Sequence, residues 1–284
     1  MLTDKPDLSG QTAFISGTTR GIGKQIALDL AEQGCNIVST GKTVDDSDSD
    51  LEGTIHKTAE ACEEKGVESL AIKLNVRDPE SIDQAVEEAI DTFGNVNILI
   101  NNASAIQLAE VEDMPANRFD LMNEVNVRGT YLLSRKFIPH MKDLENSWVL
   151  TNAPPVTIDR ASGKAAYAWS KMGMSFITLS LADELDEYDI GCNSFWPVTA
   201  IDTRATRYFG LGTEEDWRTP EIVSDTVLEI LNRDPSEFTG NAVYDEELLK
   251  DAGIDDFSGY NLVEGSNPPP WSAKMFDPEY EQGE

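Results

Sequence analysis

Short apolar runs alternate along this chain with longer segments whose apolar residues recur at helical spacing. The runs at 12–16, 36–40, 69–74, 97–100, 148–151, 190–195 and 241–244 predict strands. The segments at 22–33, 51–65, 79–93, 115–142, 164–188 and 221–232 predict helices, with 115–142 either one long helix or a pair. Pro79 opens its segment at the first helical position, where a missing N–H costs nothing. An acidic loop at 45–50 precedes the second helix. Strands apolar on both faces and separated by helices predict an α/β doubly wound parallel sheet of about seven strands, with helices on both faces. No internal repeat is visible. Residues 1–245 read as one domain, and 246–284 differ. They hold Pro268-Pro269-Pro270 and scattered aromatics (Phe257, Tyr260, Trp271, Phe276, Tyr280). That content predicts a C-terminal extension packed on the domain or on a neighbouring subunit rather than a mobile tail.

The turn between the first strand and its helix reads Gly17-Thr18-Thr19-Arg20-Gly21-Ile22-Gly23. Glycines let a backbone turn tightly and approach a pyrophosphate, and the helix N-terminus favours that negative charge. At a strand–helix junction that opens an alternating chain, the pattern predicts dinucleotide binding by Gly17, Thr19, Arg20, Gly21, Ile22 and Gly23. An acid at the end of the second strand would bind an unphosphorylated ribose. Here the chain reads Ser39-Thr40-Gly41-Lys42-Thr43, with no acid before Asp45. Lys42 and Arg20 suit a 2′-phosphate instead, which favours NADP(H) over NAD(H).

Tyr167 and Lys171 stand four apart in the segment 164–188, on one helical face. A nearby ammonium favours an ionised phenol, so Lys171 is expected to lower the pKa of Tyr167. A phenol so tuned exchanges protons with a carbonyl/alcohol pair. A solvated surface pair has the same spacing, and the spacing alone leaves both readings open.

Charge narrows the partners. The chain carries 52 acids and 22 bases, net −30, spread along its length. Repulsion from phosphates excludes nucleic acid as a partner, and the distribution excludes a disordered acidic arm. The balance predicts a halophilic protein whose self-repulsion is screened by a salt-rich cytoplasm. An ordinary acidic protein is the alternative. Cys35, Cys62 and Cys192 lie far apart without a CxxC pattern, as expected of thiols in a reducing compartment. His56 and His140 lack metal-ligand spacing, so no metal site is expected. No apolar run approaches a membrane span and no signal-peptide pattern is present, so a cytoplasmic protein is expected, without membrane association.

In this order, these residues resemble the short-chain dehydrogenase/reductase family over about residues 8–245. The family's glycine loop matches Ser16 to Gly23. Its Asn-Asn-Ala-Gly motif matches Asn101-Asn102-Ala103-Ser104, its helix asparagine matches Asn126, and its Tyr-x-x-x-Lys pair matches Tyr167 and Lys171. Its Pro-Gly segment matches Pro197-Val198-Thr199-Ala200-Ile201-Asp202-Thr203. More narrowly, Asn126-Val127-Arg128-Gly129-Thr130-Tyr131, Trp196-Pro197-Val198-Thr199 and Phe238-Thr239-Gly240-Asn241 are similar to the hydroxysteroid dehydrogenase-like protein 2 subgroup. The resemblance is to that subgroup's reductase part and carries over no sterol-carrier domain.

The resemblance implies a Rossmann-type fold and an NADP-dependent oxidoreductase. Tyr167 would be proton donor or acceptor, Lys171 would hold the ribose, and Asn126 would kink its helix and hold a water linking Lys171 to solvent. Asn75 and Val76 would lie near the adenine, Asn102 and Ala103 beside the cofactor, and Pro197, Thr199 and Ile201 along the nicotinamide. The chain departs from the family at Ala153, where a catalytic serine is usual. Losing such a donor costs roughly 10²–10³ in rate. Asn152, Thr157 or Tyr167 must then orient the substrate oxygen, and Thr151 and Ser162 are the other nearby hydroxyls. The alternative is an NADP(H)-binding module with weak or no turnover. Arg204, Arg207, Tyr208, Phe209 and Trp217, with Trp196 behind them, predict a small-molecule substrate with a bulky apolar body; the arginines add the option of an acid or acyl-CoA group. The family assembles through two long helices. A homodimer or homotetramer is therefore expected through 115–142 and 164–188, where Phe176, Leu179 and Leu181 suit either an interface or the core.

Overall fold

The structure, a computed structural model, describes residues 1–48, 52–157 and 162–282. Its strands are β1 (Thr12–Ser16), β2 (Asn36–Gly41), β3 (Ser69–Lys73), β4 (Ile98–Asn101), β5 (Ser147–Asn152), β6 (Ile190–Trp196), β7 (Ala200–Ile201), β8 (Trp217–Arg218) and β9 (Ala242–Tyr244). Seven of them form one sheet in the order β3-β2-β1-β4-β5-β6-β9. Every pairing in it is parallel. The order reverses between β1 and β4, which opens a crevice at the carboxyl ends of these strands. β7 and β8 pair separately as a two-residue ladder, which the hydrophobic pattern does not announce.

The helices bury one stripe each. α1 (Gly21–Glu32) and α2 (Ile55–Glu63) pack with α8 (Glu221–Leu231) on one face of the sheet. α3 (Pro79–Phe93), α5 (Gly129–Met141) and α6 (Ala165–Glu184) cover the other. There the Phe14 and Phe137 rings meet at 4.9 Å. α3 has the bounds its pattern predicts, because both ends are marked. The Asp78 side chain accepts from Glu80 N–H, Pro79 follows, and Gly94 closes the helix at φ 75°.

Other bounds shift for local reasons. α2 starts at Ile55 rather than 51, since Gly53 takes φ 100° and Thr54 Oγ1 caps Lys57 N–H. Leu51, with Ser49 and Asp50 of the acidic loop, lies outside the described residues. The segment 115–142 is α4 (Ala116–Met122), a π-helical stretch (Asn123–Arg128) and α5, run together. α6 stops at Glu184, and a 3₁₀ turn (Asp186–Tyr188) completes the stretch predicted as helix. Phe176 is exposed on α6, whereas Leu181 is buried in the core.

Three short helices escape the periodicity: α7 (Arg204–Phe209), α9 (Asp245–Asp251) and α10 (Trp271–Lys274). Described residues beyond β9 make contacts with this same chain. Tyr260 Oη donates to Asp225 at 2.7 Å, and the Tyr244 and Tyr280 rings meet at 4.8 Å. α10 donates two backbone N–H bonds, from Ser272 and Ala273, to the Val198 carbonyl, each 3.0 Å.

Candidate active site

The crevice is built where β1, β4 and β5 end together. Ser16 Oγ accepts from Asn102 and Ala103 N–H, each at 3.0 Å. Asn102 Nδ2 donates to Ser16 O (3.1 Å) and Gly17 O (3.0 Å), and Asn102 Oδ1 accepts from Asn152 Nδ2 (3.0 Å). These bonds fix the glycine loop on the sheet. Gly17 and Gly21 hold φ of 81° and 59°, which favour glycine. Gly23 is required by contact instead: a Cβ there would overlap the Gly17 carbonyl and the Asn102 amide. Arg20 precedes α1 in extended conformation and makes no side-chain cap, so the first N–H groups of α1 are left for an anion.

A cavity of about 690 Å³ runs from this loop across the crevice to α10. Not one Asp or Glu lines it among the described residues, although the chain has 52 of them. Its charged groups are Arg20, Lys42, Lys171 and Arg204. The Arg20 guanidinium donates to the carbonyls of Glu52 (3.1 Å) and Gly53 (3.3 Å). Its pKa is lowered by burial and, to a lesser degree, by the nearby Arg204. The glycine-loop residues, Lys42, Asn75 and Val76 line the cavity. So do Asn102, Ala103, Tyr167, Lys171, Pro197 and Ile201. Thr199 does not: it is fully buried and its hydroxyl finds no partner. Glycines required by backbone angle or by contact, an uncapped helix N-terminus and a wholly cationic set of charges together fit a phosphate-bearing dinucleotide.

Tyr167 and Lys171 share the cavity, but their electrostatics differ from those the spacing suggests. Lys171 Nζ donates to Asn152 O at 2.5 Å, lies 3.7 Å from Met174 Sδ and sits 5.0 Å from the Trp196 ring centre. Burial pulls its pKa down to about 7. Burial also pushes the Tyr167 phenol above its usual range. The expected lowering of Tyr167 is therefore not found. The ammonium is stripped of water and turned to a carbonyl, and desolvation of the phenol dominates.

Asn126 lies in the π-helical stretch, where the helix departs from regular geometry, and does not line the cavity. Its Oδ1 accepts from Ala105 N–H (2.7 Å), while Nδ2 donates to Ala105 O and Ser170 Oγ, each at 2.9 Å. Its amide thus clamps the loop after β4 to α6. Ala153 is fully buried behind the wall. Of the hydroxyls nearby, Thr151 accepts from Thr178 inside the core (2.7 Å), and neither Thr157 nor Ser162 lines the cavity. Asn152 does line it, but its amide nitrogen is engaged by Asn102 and its unpartnered atom is Oδ1.

The far end is apolar: Leu121, Trp196, Tyr208, Phe209, Trp271 and Met275. The loop arginines do not serve it. Arg207 is tied at the surface to Asp202 (2.6 Å) and Glu214 (2.9 Å), and Arg204 lies near Arg20. Trp217 is buried, with Nε1 donating to Leu211 O at 2.6 Å, and does not line the cavity. Trp271, Ser272 and Met275 were beyond sequence reasoning; the aromatics of 246–284 were their one signal. Among the described residues no group of three or more His, Cys, Asp or Glu is placed to hold a metal. No helix among them is long and apolar enough to cross a membrane.

Known proteins share this fold. The short chain dehydrogenase family model matches residues 11–211. Hydroxysteroid dehydrogenase-like protein 2 of Xenopus tropicalis is 42% identical over 268 residues, covering 93% of this chain and 64% of the relative. That of Homo sapiens is 42% identical, with 93% and 63% covered. The chain thus spans just under two thirds of the length of these curated relatives. The crystal structure of a short chain dehydrogenase from Mycobacterium thermoresistibile is 38% identical, superimposes with a TM-score of 0.86, and is matched over 94% of its length and 93% of this chain. A parallel seven-stranded sheet, a glycine loop closed on Asn102 and a Tyr167/Lys171 pair at the crevice go with these matches: the chain belongs to the short-chain dehydrogenase family and is an oxidoreductase.

Proposed function

We propose that this enzyme interconverts a carbonyl and an alcohol with NADP(H), Tyr167 acting as proton donor and acceptor. One observation carries the reading: the cavity that holds Tyr167 and Lys171 continues into the glycine loop, and among the described residues its charged lining groups are all cations, in a chain of net charge −30. When bound there, the nicotinamide supplies or takes up hydride. Arg20 and Lys42 both line the cavity and would suit a ribose 2′-phosphate, which supports NADP(H) over NAD(H). The raised pKa of Tyr167 keeps its phenol protonated near neutral pH, ready to donate to a substrate oxygen. Lys171 holds the Asn152 carbonyl and changes charge close to neutrality. Asn126 positions the loop after β4 rather than touching the reacting atoms. Exposed Phe119, Tyr131, Trp169 and Phe176 on α4, α5 and α6 support a homodimer or homotetramer through these helices. The acidic surface supports a salt-rich cytoplasm.

Replacing Tyr167 by Phe is expected to leave NADPH binding, read by fluorescence, within about twofold and to lower carbonyl-dependent NADPH oxidation roughly 10²–10⁴-fold. NADPH should bind about tenfold or more tightly than NADH, one charge-assisted contact being worth about 1.5–3 kcal/mol. Equal loss of binding and turnover in Tyr167→Phe would remove Tyr167 from the chemistry. Ala153 favours a second reading, a binding module without turnover. NADPH binding with no oxidation across a broad carbonyl panel, unrescued by Ala153→Ser, would establish it.

A further inference from the structure

We infer that α10 forms the substrate-side wall of the cavity and selects uncharged carbonyl compounds with an extended apolar body, with Trp271 and Met275 as the specificity-determining residues. The inference rests on the oxidoreductase reading above. Trp271 and Met275 are four apart and line the cavity together, with Ser272 between them. The wall is anchored at the site itself. Val198 N–H donates to Asp245 Oδ1 at 2.8 Å, and its carbonyl takes both α10 bonds. Trp196 Nε1 donates to Ser272 O at 3.4 Å. One residue past Met275, the Phe276 ring lies 5.3 Å from Trp196 and 6.1 Å from Tyr167. A substrate oxygen at Tyr167 thus places the rest of the molecule between α10 and α7, where Tyr208 and Phe209 form the opposite lip.

Charge decides what body fits. The lining cations stand on the glycine-loop side: Arg20 in the loop with Arg204 near it, Lys42 at the end of β2, and Lys171 on the Asn152 carbonyl. The Thr203 methyl lies 3.6 Å from where a Gly21 side chain would begin, so the start of α7 lies beside the glycine loop. A carboxylate carried against Trp271 and Met275 would lose its water among apolar groups, whereas an apolar chain gains contact with four aromatic or thioether side chains, Trp271, Met275, Tyr208 and Phe209.

The test titrates the protein, with and without NADP+, with 2-decanone, cyclohexanone and 9-oxodecanoate in a calorimeter. 2-Decanone is expected to bind about tenfold or more tightly than either competitor. Trp271→Ala and Met275→Ala should each reduce that preference about tenfold, with NADPH affinity unchanged. Trp271 is part-exposed, so its variant is expected to keep the wild-type unfolding temperature even if that of buried Met275 does not. The inference is overturned by an unchanged preference in Trp271→Ala, by equal binding of 9-oxodecanoate, or by wild-type protein that takes up none of the ketones. Failure of the oxidoreductase reading shows separately, as ketone binding with NADPH bound but never oxidised.

Discussion

Lys171 is the residue at which burial and function pull in opposite directions. It is almost wholly enclosed, its Nζ meets one carbonyl, and its proton is released near pH 7 instead of the usual 10.5. In the unfolded chain the proton stays bound up to the usual value. Between the two values the unfolded state binds more protons, so this residue makes stability rise with pH from about 7 towards 10.5, and below about 7 its contribution is flat. Urea midpoints of wild type and Lys171→Met between pH 6 and 9.5 check this. The wild type should gain on the variant with a slope of up to about 1.4 kcal/mol per pH unit. Parallel curves would mean that Lys171 is solvated. The sequence showed that Tyr167 and Lys171 share a face, since spacing determines that. It could not show the direction of the Tyr167 shift. That depends on how deeply Trp196, and Phe276 from the far end of the chain, bury the pair.

At the scale of elements, what was legible follows from length and marked ends. α3, with Asp78, Pro79 and Gly94, is read correctly from the sequence, and so are strands such as β1 whose residues are all buried. α7 and α10 are too short for a period to show, and hydrogen bonds to distant residues such as Val198 hold α10 in place. The π-helical stretch is intermediate. Asn126 pointed to a distorted helix, but the sequence did not show its amide bonding Ala105 and Ser170 at once. Asn126→Ala would leave the Ala105 N–H and carbonyl and the Ser170 hydroxyl without that partner. Unmet buried groups cost about 1–3 kcal/mol each, so a loss of about 3 kcal/mol in denaturant unfolding is expected. The KM for carbonyl should rise as the loop after β4 loosens, with NADPH affinity nearly unchanged, because Asn126 does not line the cavity. A variant as stable as wild type would mean that water replaces the amide.

The whole molecule carries a charge that its ion pairs cannot offset. No more than 22 of its 52 acids can each be matched to a base, and pairs such as Lys57–Asp46 and Lys65–Glu32 are solvent-exposed, where a pair is worth about 1 kcal/mol or less. The remaining acids repel one another over distances set by salt, about 10 Å at 0.1 M and about 3 Å at 1 M. Raising KCl from 0.1 to 1 M should therefore stabilise the fold by several kcal/mol. At roughly 2–4 °C per kcal/mol for a domain of this size, the melting temperature should climb by about 10 °C. The form of the curve identifies the cause. Screening saturates once the Debye length falls to a few ångströms, so most of the gain should come below 1 M. Strengthened apolar burial by excluded salts keeps growing with concentration. The cavity, whose lining among the described residues holds no acid, should respond in the opposite sense, because its cations attract an anionic cofactor less strongly as salt rises. NADPH affinity is thus expected to fall while stability increases, and the enzyme should work best in an intermediate salt range. A melting temperature indifferent to KCl would show that the charges are balanced by structure rather than by solvent.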